Sequence, residues 1–328
     1  MAELLSASAT SQTVTKLPRP MKKSRKPRGS SLKKMKRHWQ LYLLISLPLM
    51  YFILFKYVPI LGVQIAFKDL IPTQGIWGSP YVGFKHFQAF FEHPNFWVLI
   101  KNTLLLSMYS LAVGFPIPIL LALMLNELKN GLFKRAVQMV TYAPYFISTV
   151  VMVSMIILFL APRIGVIDHI RTALGLDSIN FMGKPSLFPT IFVLSDLWQF
   201  MGYNAIIYIA ALAGVNPQLY EAARIDGANR LQKIIHIDLP SIVPVMVLLL
   251  VLSLGQLLNI GFEKVYLLQN PLNLGASEII STYVYKVGLV QANYSFSAAV
   301  GLFNSLINFA LIVLANLGAR RLTGSGLF

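Results

Sequence analysis

The sequence predicts an all-α integral membrane protein with six transmembrane helices and both termini in the cytoplasm. Three observations support this fold class: the composition, the recurrence of long apolar stretches and the distribution of positive charge. Of the 328 residues, 56% are hydrophobic and only 12% are charged, and the mean hydropathy is +0.64. These values are typical of a membrane protein. The chain has no cysteine, which excludes disulfides and cysteine-based metal or catalytic sites.

Six apolar stretches are each long enough to cross a hydrocarbon core of about 30 Å. Prolines and glycines within them are compatible with transmembrane helices because neighbouring helices satisfy the freed backbone groups. We expect exterior segments at 63–95, 161–185 and 263–295 and interior loops at 126–135 and 216–240. The predicted spans cover residues 41–62, 96–124, 136–160, 186–215, 242–262 and 296–317.

Positive charge marks the predicted cytoplasmic side. Residues 1–40 contain eleven Lys and Arg against one acid, Glu3, and we expect a disordered cytoplasmic tail that is attracted to anionic membrane lipid. The remaining residues, 41–328, form the predicted six-span domain. The tail is too long and basic for a cleaved signal peptide. No nucleic-acid partner is predicted, because no module with interleaved aromatic residues accompanies the charges.

The interior loop 216–240, with the sequence NPQLYEAARIDGANRLQKIIHIDLP, carries most of the functional information. Asn216 is a favourable cap for a helix that starts at Pro217, and Gly227 interrupts that helix. A second helical run is predicted over 228–238, and Pro240 marks the entry to the fifth span. The pattern therefore predicts a helix, a glycine hinge and a second helix at the membrane surface. The alternative is a solvated amphipathic loop that contacts no partner.

Several residues of this loop stand at the spacing of a known motif. The loop resembles the EAA loop of permease subunits in binding-protein-dependent ABC importers, although Ile234 stands where the family often has an aromatic residue. The residues that carry the resemblance, and that it identifies as the coupling site, are Glu221, Ala222, Ala223, Asp226, Gly227, Ala228, Ile237, Leu239 and Pro240.

The resemblance implies the type I ABC importer permease fold in the bacterial cytoplasmic (inner) membrane. It also implies three protein partners: a second permease subunit, an ABC ATPase dimer and an extracytoplasmic solute-binding protein. In that family the short cytoplasmic helix sits in a cleft of the ATPase subunit and passes its movement to the membrane helices. Under this interpretation the chain itself holds no cofactor, because the partner ATPase subunits bind ATP and Mg²⁺.

Three further stretches look like the oligosaccharide branch of these permeases, and particularly the branch that serves substrates such as alginate. They are GIWGSPYVGFKHF before the second span, NTLLLS within it and the ending ARRLTGSGLF. The resemblance implies an oligosaccharide substrate. A negatively charged oligosaccharide is a hypothesis that rests on this likeness, with Lys101 and Arg163 near exterior ends of spans as the basic residues that favour it.

Polar side chains at bilayer depth are candidates for the substrate pathway, because they are costly there unless they face a cavity or each other. Amides and an acid beside aromatic rings suit a sugar. The alternative is that these side chains hold helices together. On the fifth span, Glu263 shares the helical spacing of two of them. The candidates are Asp196, Trp198, Gln199, Tyr203, Asn204, Gln256, Asn259, Asn304 and Asn308.

No catalytic or nucleotide-binding motif supports an enzyme. The sequence contains no HExxH, GxSxG or GxxxxGK[ST] pattern, and its histidines pair with no nucleophile at a recognisable spacing. Two other classes stay open at this point. An ion-coupled secondary transporter would explain six spans and a polar core, and a membrane-anchored assembly protein would explain the spans and the basic tail. The five histidines that pair with no nucleophile are His38, His86, His93, His169 and His236.

Overall fold

A computed structural model describes residues 38–323, which are almost entirely helical. Most of the predicted basic tail therefore lies outside the described residues, as do the last five residues of the chain. Within the described residues the chain divides into two compact units, 38–60 and 61–323.

The first unit contains a single described helix, α1, Trp39–Phe52. It continues through a wider turn at Ile53–Tyr57 and a narrower one at Val58–Phe67. The whole stretch, Trp39–Phe67, is long and apolar enough to cross a membrane. It confirms the first predicted span and extends it at both ends.

The second unit is built from the helices of the predicted spans and from shorter helices within the predicted exterior segments and the interior loop 216–240. Single helical turns at Gly75–Gly78 and Leu274–Ser277 lie between them. The helices are α2 Lys85–Phe91, α3 Phe96–Gly114, α4 Pro116–Glu127, α5 Leu132–Tyr142, α6 Thr149–Phe159, α7 Val166–Ala173, α8 Phe188–Ala213, α9 Pro217–Ile225, α10 Arg230–Lys233, α11 Leu239–Gly255, α12 Phe262–Leu268, α13 Ile280–Tyr285 and α14 Tyr294–Thr323.

In the described residues, four helical stretches are long and apolar enough to cross a membrane, or up to six if each of two bent pairs is one span. The predicted second span is confirmed as α3 and α4, and the predicted sixth as the longer α14. The third is not one straight helix, because α5 and α6 are bent by 103°. Pro144 in the turn between them cannot continue the backbone hydrogen bonding of α5. The fifth predicted span is also wrong at its end, since α11 stops at Gly255 and not at residue 262.

The six-span prediction requires the interior loops to lie near each other and the exterior segments to lie near each other. Contacts between these connecting segments agree with this requirement. The two predicted interior loops meet where Lys233 Nζ lies 2.9 Å from Glu127 Oε1. Two predicted exterior segments meet where Asn270 Nδ2 donates to the Met182 carbonyl at 2.9 Å. The side of the membrane on which each group lies stays a prediction.

Buried apolar side chains tie the helices together in clusters. One cluster joins α3, α6, α8 and α12, and another joins α4, α8 and α11. Because α8 belongs to both, it is the central helix of the unit. The largest buried members are Leu106, Phe188, Phe192 and Leu268 in the first cluster, and Ile119, Tyr208, Leu212 and Ile242 in the second.

Candidate transport site and coupling elbow

Residues 216–240, called here the coupling elbow, begin with the predicted capped helix. Asn216 Oδ1 accepts from the Gln218 N–H at 3.0 Å and α9 follows from Pro217, which confirms the predicted start. Gly227 has a φ of +72°. The Ala228 N–H donates to the Ala223 carbonyl at 2.9 Å, so the helix ends in the pattern that a left-handed glycine permits.

The second half of the elbow differs from the predicted helix over 228–238. Asn229 and Gln232 form a reciprocal cap, so α10 starts at Arg230. The helix does not stop before Pro240. It runs through one wider turn at Ile234–Asp238 directly into α11. Pro240 is compatible with this because the wider turn directly before it accommodates a residue without a backbone N–H, and the second half of the elbow is therefore a helical extension of the fifth span.

Side-chain contacts hold α9 to the second half of the elbow and tether the elbow to the end of α4. Asp238 is fully buried, and its Oδ1 accepts from the Tyr220 hydroxyl and, at 3.4 Å, from Asn126 Nδ2. Burial and the neighbouring Asp238 carboxylate raise the pKa of Tyr220 to about 12, so the phenol stays a donor at neutral pH. Beside it, Lys233 pairs with Glu127 at the end of α4.

The elbow also presents a groove of about 370 Å³. Around Gly227 the groove is lined by small side chains. Glu221 and Ala222 are exposed on α9, and Leu239 and Pro240 begin α11. Most of the predicted coupling residues therefore share one concave surface. The groove is lined by Ala223, Asp226, Gly227, Ala228, Gln232, Lys233, His236 and Ile237.

A first cavity of about 360 Å³ lies among α3, α4, α8 and α11. Three of the predicted pathway residues line it: Asp196, Asn204 and Gln256. Hydroxyl groups that the sequence analysis did not single out complete its polar lining. These are Ser107, Ser110, Tyr208 and Ser253, and the apolar lining is Leu111, Gly114, Phe115, Pro118, Ile207, Leu249, Leu257 and Ile260.

Asp196 forms an ion pair that the sequence analysis missed. Its Oδ1 lies 3.5 Å from Lys264 Nζ, and Lys264 is 3% exposed. The ammonium also lies 5.7 Å from the ring centre of Phe192. Lys264 was placed in an exterior segment because the fifth span was predicted to continue to residue 262. Because α11 ends earlier than predicted, α12 lies beside α8. No local sequence pattern predicts this position of α12. Neither Lys101 nor Arg163 lines the first cavity.

Two other predicted pathway residues satisfy backbone groups where helices are interrupted. Gln199 Nε2 donates to the Ile147 carbonyl at 3.0 Å, in the turn between α5 and α6. Asn308 Oδ1 accepts from the Leu258 N–H at 3.1 Å, just after the end of α11. Their geometry favours the alternative interpretation of polar side chains that hold helices together.

The remaining predicted residues lie outside the lining of the first cavity. Asn304 Nδ2 donates to Asn259 Oδ1 at 2.9 Å. The Tyr203 ring stacks on Tyr145, with ring centres 3.7 Å apart and planes at 2°. Trp198 is 43% exposed. Gln256, Asn259 and Glu263 do not share a helical face, because the first two follow the end of α11 and Glu263 belongs to α12.

Comparison with known proteins places the chain in a family. Residues 114–324 match the model for "Binding-protein-dependent transport system inner membrane component". The polygalacturonan/rhamnogalacturonan transport system permease protein YteP of Bacillus subtilis (strain 168) is 46% identical over 88% of this chain and 90% of its own length. Protein LplB of the same organism is 42% identical over 90% and 92%.

A solved structure has the same fold. The chain is 41% identical, with a TM-score of 0.83, to a chain of a bacterial ABC transporter involved in the import of the acidic polysaccharide alginate, over 89% of this chain and 99% of that one. A second structure of a bacterial alginate ABC transporter, in complex with a periplasmic protein bound to an alginate pentasaccharide, gives a TM-score of 0.84 at 40% identity, over 91% and 100%. This chain belongs to the family of binding-protein-dependent transport system inner membrane components, and is a permease subunit of an ABC importer that works with a second permease, ATPase subunits and a binding protein.

Proposed function

We propose that the chain forms part of the pathway for an acidic oligosaccharide, and that this sugar passes through the first cavity. The observation that carries the proposal is the lining of that cavity, where the hydroxyl groups of Ser107, Ser110 and Ser253 and the amides of Asn204 and Gln256 converge. Ser107 and Ser110 each have a buried Oγ without a hydrogen-bond partner among the described residues. Buried hydroxyls of this kind are available to the hydroxyl groups of a sugar.

The charge of the cavity is compatible with an acidic sugar. Asp196 is the charged residue among those that line it, and Lys264 lies beside it. Because the lysine compensates the carboxylate, a sugar carboxylate meets no excess of negative charge. The relatives support the acidic class, since one is named for polygalacturonan and the structural relatives for alginate.

The coupling elbow passes the movement of the ATPase subunits to the walls of this cavity. Tyr220 connects α9 to Asp238, which directly precedes α11, and Lys233 connects the elbow to the end of α4. Both α4 and α11 contribute to the cavity lining, through Pro118 and Ser253 respectively. A displacement of the elbow would therefore move two walls at once, which is what alternating access between two packings requires. The partner ATPase subunits bind the ATP and Mg²⁺, and this chain needs no cofactor.

The substrate class is tested with the complete complex in proteoliposomes. ATP hydrolysis is measured as binding protein loaded with oligogalacturonides or with neutral maltooligosaccharides is added. We expect stimulation by the acidic series and little by the neutral one. A preference for the neutral series would overturn the acidic assignment. Substrate uptake that is driven by an ion gradient in the absence of ATP would overturn the mechanism.

The coupling role is tested at Gly227. A tryptophan there, Gly227→Trp, would stand in the groove, so we expect normal membrane insertion but ATP hydrolysis that no longer drives uptake. Asparagine tolerates the left-handed conformation with a shorter side chain, so Gly227→Asn is the matched control and should keep more of the coupling. Vesicles with normal uptake for Gly227→Trp would contradict the role of the elbow.

A further inference from the structure

A second cavity, of about 410 Å³, lies on the other side of the turn that follows α11. It is bounded by α12, α13 and the first half of α14, and it shares no lining residue with the first cavity. Its volume is within the usual range of small-molecule sites, about 300–1,000 Å³. The residues that the argument uses are Asn259, Phe262, Ser281, Tyr285, Gly301 and Asn304.

Two side chains that line this cavity each have a buried polar atom with no hydrogen-bond partner among the described residues. The atoms are Asn304 Oδ1 and Ser281 Oγ, and Asn304 as a whole is 8% exposed. A buried acceptor without a partner loses its hydration and gains no hydrogen bond in return. The cavity is therefore poorly suited to an acyl chain, which would leave both atoms unsatisfied in hydrocarbon.

The apolar part of the cavity has the form that a sugar ring needs. The rings of Phe262 and Tyr285 lie with their centres 5.3 Å apart, at 53° to each other. Aromatic rings in the same lining as amide and hydroxyl groups offer surfaces for both the carbon face and the hydroxyl edge of a pyranose.

A chain of hydrogen bonds connects the two cavities. Asn304 Nδ2 donates to Asn259 Oδ1 at 2.9 Å, and Asn259 Nδ2 donates to Gln256 Oε1 at 3.2 Å. Gln256 lines the first cavity, while Asn259 and Asn304 line the second. The turn after α11 thus has a polar side chain in the lining of each cavity. The series of hydrogen bonds ends at Asn304, whose Oδ1 has no partner among the described residues.

We propose that the second cavity is a sugar subsite, which takes a further unit of the oligosaccharide that occupies the first cavity. This inference rests on the proposed function of the first cavity. It predicts that the length of the oligosaccharide, and not only its chemical class, decides how well this permease transports it.

Two glycines allow each cavity to be filled separately. Gly114 lines the first cavity and Gly301 the second, and a Cβ added at either meets nothing within 4 Å. Leucine at either position therefore occupies the cavity without a clash at its first carbon. Gly318 on α14 also has open space around its Cβ and lines neither cavity, so Gly318→Leu is the matched control.

The experiment compares uptake of di-, tetra- and hexagalacturonides by the complete complex in proteoliposomes. We expect Gly301→Leu to reduce uptake of the hexasaccharide about tenfold more than that of the disaccharide, as the loss of one subsite of modest affinity would do. Ser281→Ala should shift the same ratio in the same direction with no loss of thermal stability, because its hydroxyl has no hydrogen-bond partner among residues 38–323. Gly318→Leu should leave the ratio as it is in the unmodified complex.

The outcomes separate this inference from the proposed function. If Gly114→Leu lowers uptake of every length but Gly301→Leu changes none, the first cavity is supported and the second subsite is overturned. Equal loss for all lengths with Gly301→Leu also overturns it. If Gly301→Leu instead prevents assembly with the second permease, the cavity is an interface between subunits and not a sugar subsite. If Gly114→Leu has no effect on any length, it is the proposed function that fails.

Discussion

Two connections between helices in this permease each contain a glycine in the left-handed conformation. One of these glycines has open space around it, and the other is closely packed. At Gly227, in the coupling elbow, φ is +72° and an added Cβ meets nothing within 4 Å. At Gly261, after α11, φ is +35° and an added Cβ would lie 2.7 Å from Cζ of Phe192. Phe192 is 1% exposed, so its ring has little room to move aside.

The difference lies in what satisfies the backbone at each break. At the elbow the free backbone groups are paired locally, by hydrogen bonds that span a few residues. After α11 the N–H groups of Gln256 and Asn259 are also paired locally, but the Leu258 N–H is satisfied by Asn308, a side chain fifty positions away in the sequence. The elbow turn is therefore a local structure that leaves a surface free, whereas the second turn also depends on the packed helices. Substitutions should consequently affect function at the first and folding at the second.

The largest expected effect on stability is that of Gly261→Ala. The left-handed conformation and the contact with Phe192 together should lower the free energy of unfolding by about 3 kcal/mol. The thermal unfolding midpoint of the purified complex measures this loss. Gly318→Ala is the control, since it should be neutral or raise stability by up to about 1 kcal/mol in a helix. An unchanged midpoint for Gly261→Ala would mean that the turn after α11 is not held by packing.

A smaller loss is expected when α9 is released from Asp238. Tyr220→Phe removes the hydroxyl that donates to this buried carboxylate and should cost about 2 kcal/mol locally. Because α9 is joined to the rest of the chain through few contacts, we expect faster amide hydrogen exchange across 216–240 with little change in the global midpoint. Tyr81→Phe, at an exposed tyrosine, is the control. If exchange in the elbow is unaltered, the tether does not hold α9.

The two breaks also differ in how well the sequence predicts them. At the elbow the cap at Asn216, the interruption at Gly227 and the resemblance to a family motif lie within one stretch, so the first helix and the hinge were predicted at the right positions. What was missed is the uninterrupted helix from Arg230 into α11. The cap at Asn229 was the sequence signal for its start, whereas Pro240 is accommodated by the wider turn at Ile234–Asp238, which the sequence does not show.

The break after α11 could not be predicted because its causes are distant in sequence. The apolar run continues past Gly255 with Leu257, Leu258 and Ile260, and the Leu258 N–H finds its acceptor on the distant Asn308. The same break brings Lys264 beside Asp196 and separates Gln256 from Glu263. The polar residues of the pathway were therefore identified by type, but their grouping into cavities required the tertiary structure. Periodicity predicts which residues share a face only while the helix continues.

At Gly227 itself the expected cost is smaller, because only the backbone opposes a side chain. Gly227→Ala should lower stability by about 1 kcal/mol, and Gly227→Asn by less, since asparagine adopts this conformation more readily. Thermal unfolding of both variants, set against Gly261→Ala, gives the comparison directly. The contrast between the two turns fails if Gly227→Ala is as destabilising as Gly261→Ala.

The smallest effect should come from the ion pair between Lys233 and Glu127. Its side chains are 22% and 16% exposed, so water still screens it, and a double-mutant cycle of Lys233→Met and Glu127→Gln should give a coupling of about 0.5–1 kcal/mol. We expect this coupling to weaken as salt is added. If the coupling free energy of Lys233 and Glu127 were well above the loss expected for Tyr220→Phe, the ion pair would be the stronger of the two contacts. The elbow would then be held to α4 by charge and not to the start of α11 by a buried hydrogen bond, so that its movement would reach the first cavity mainly through α4.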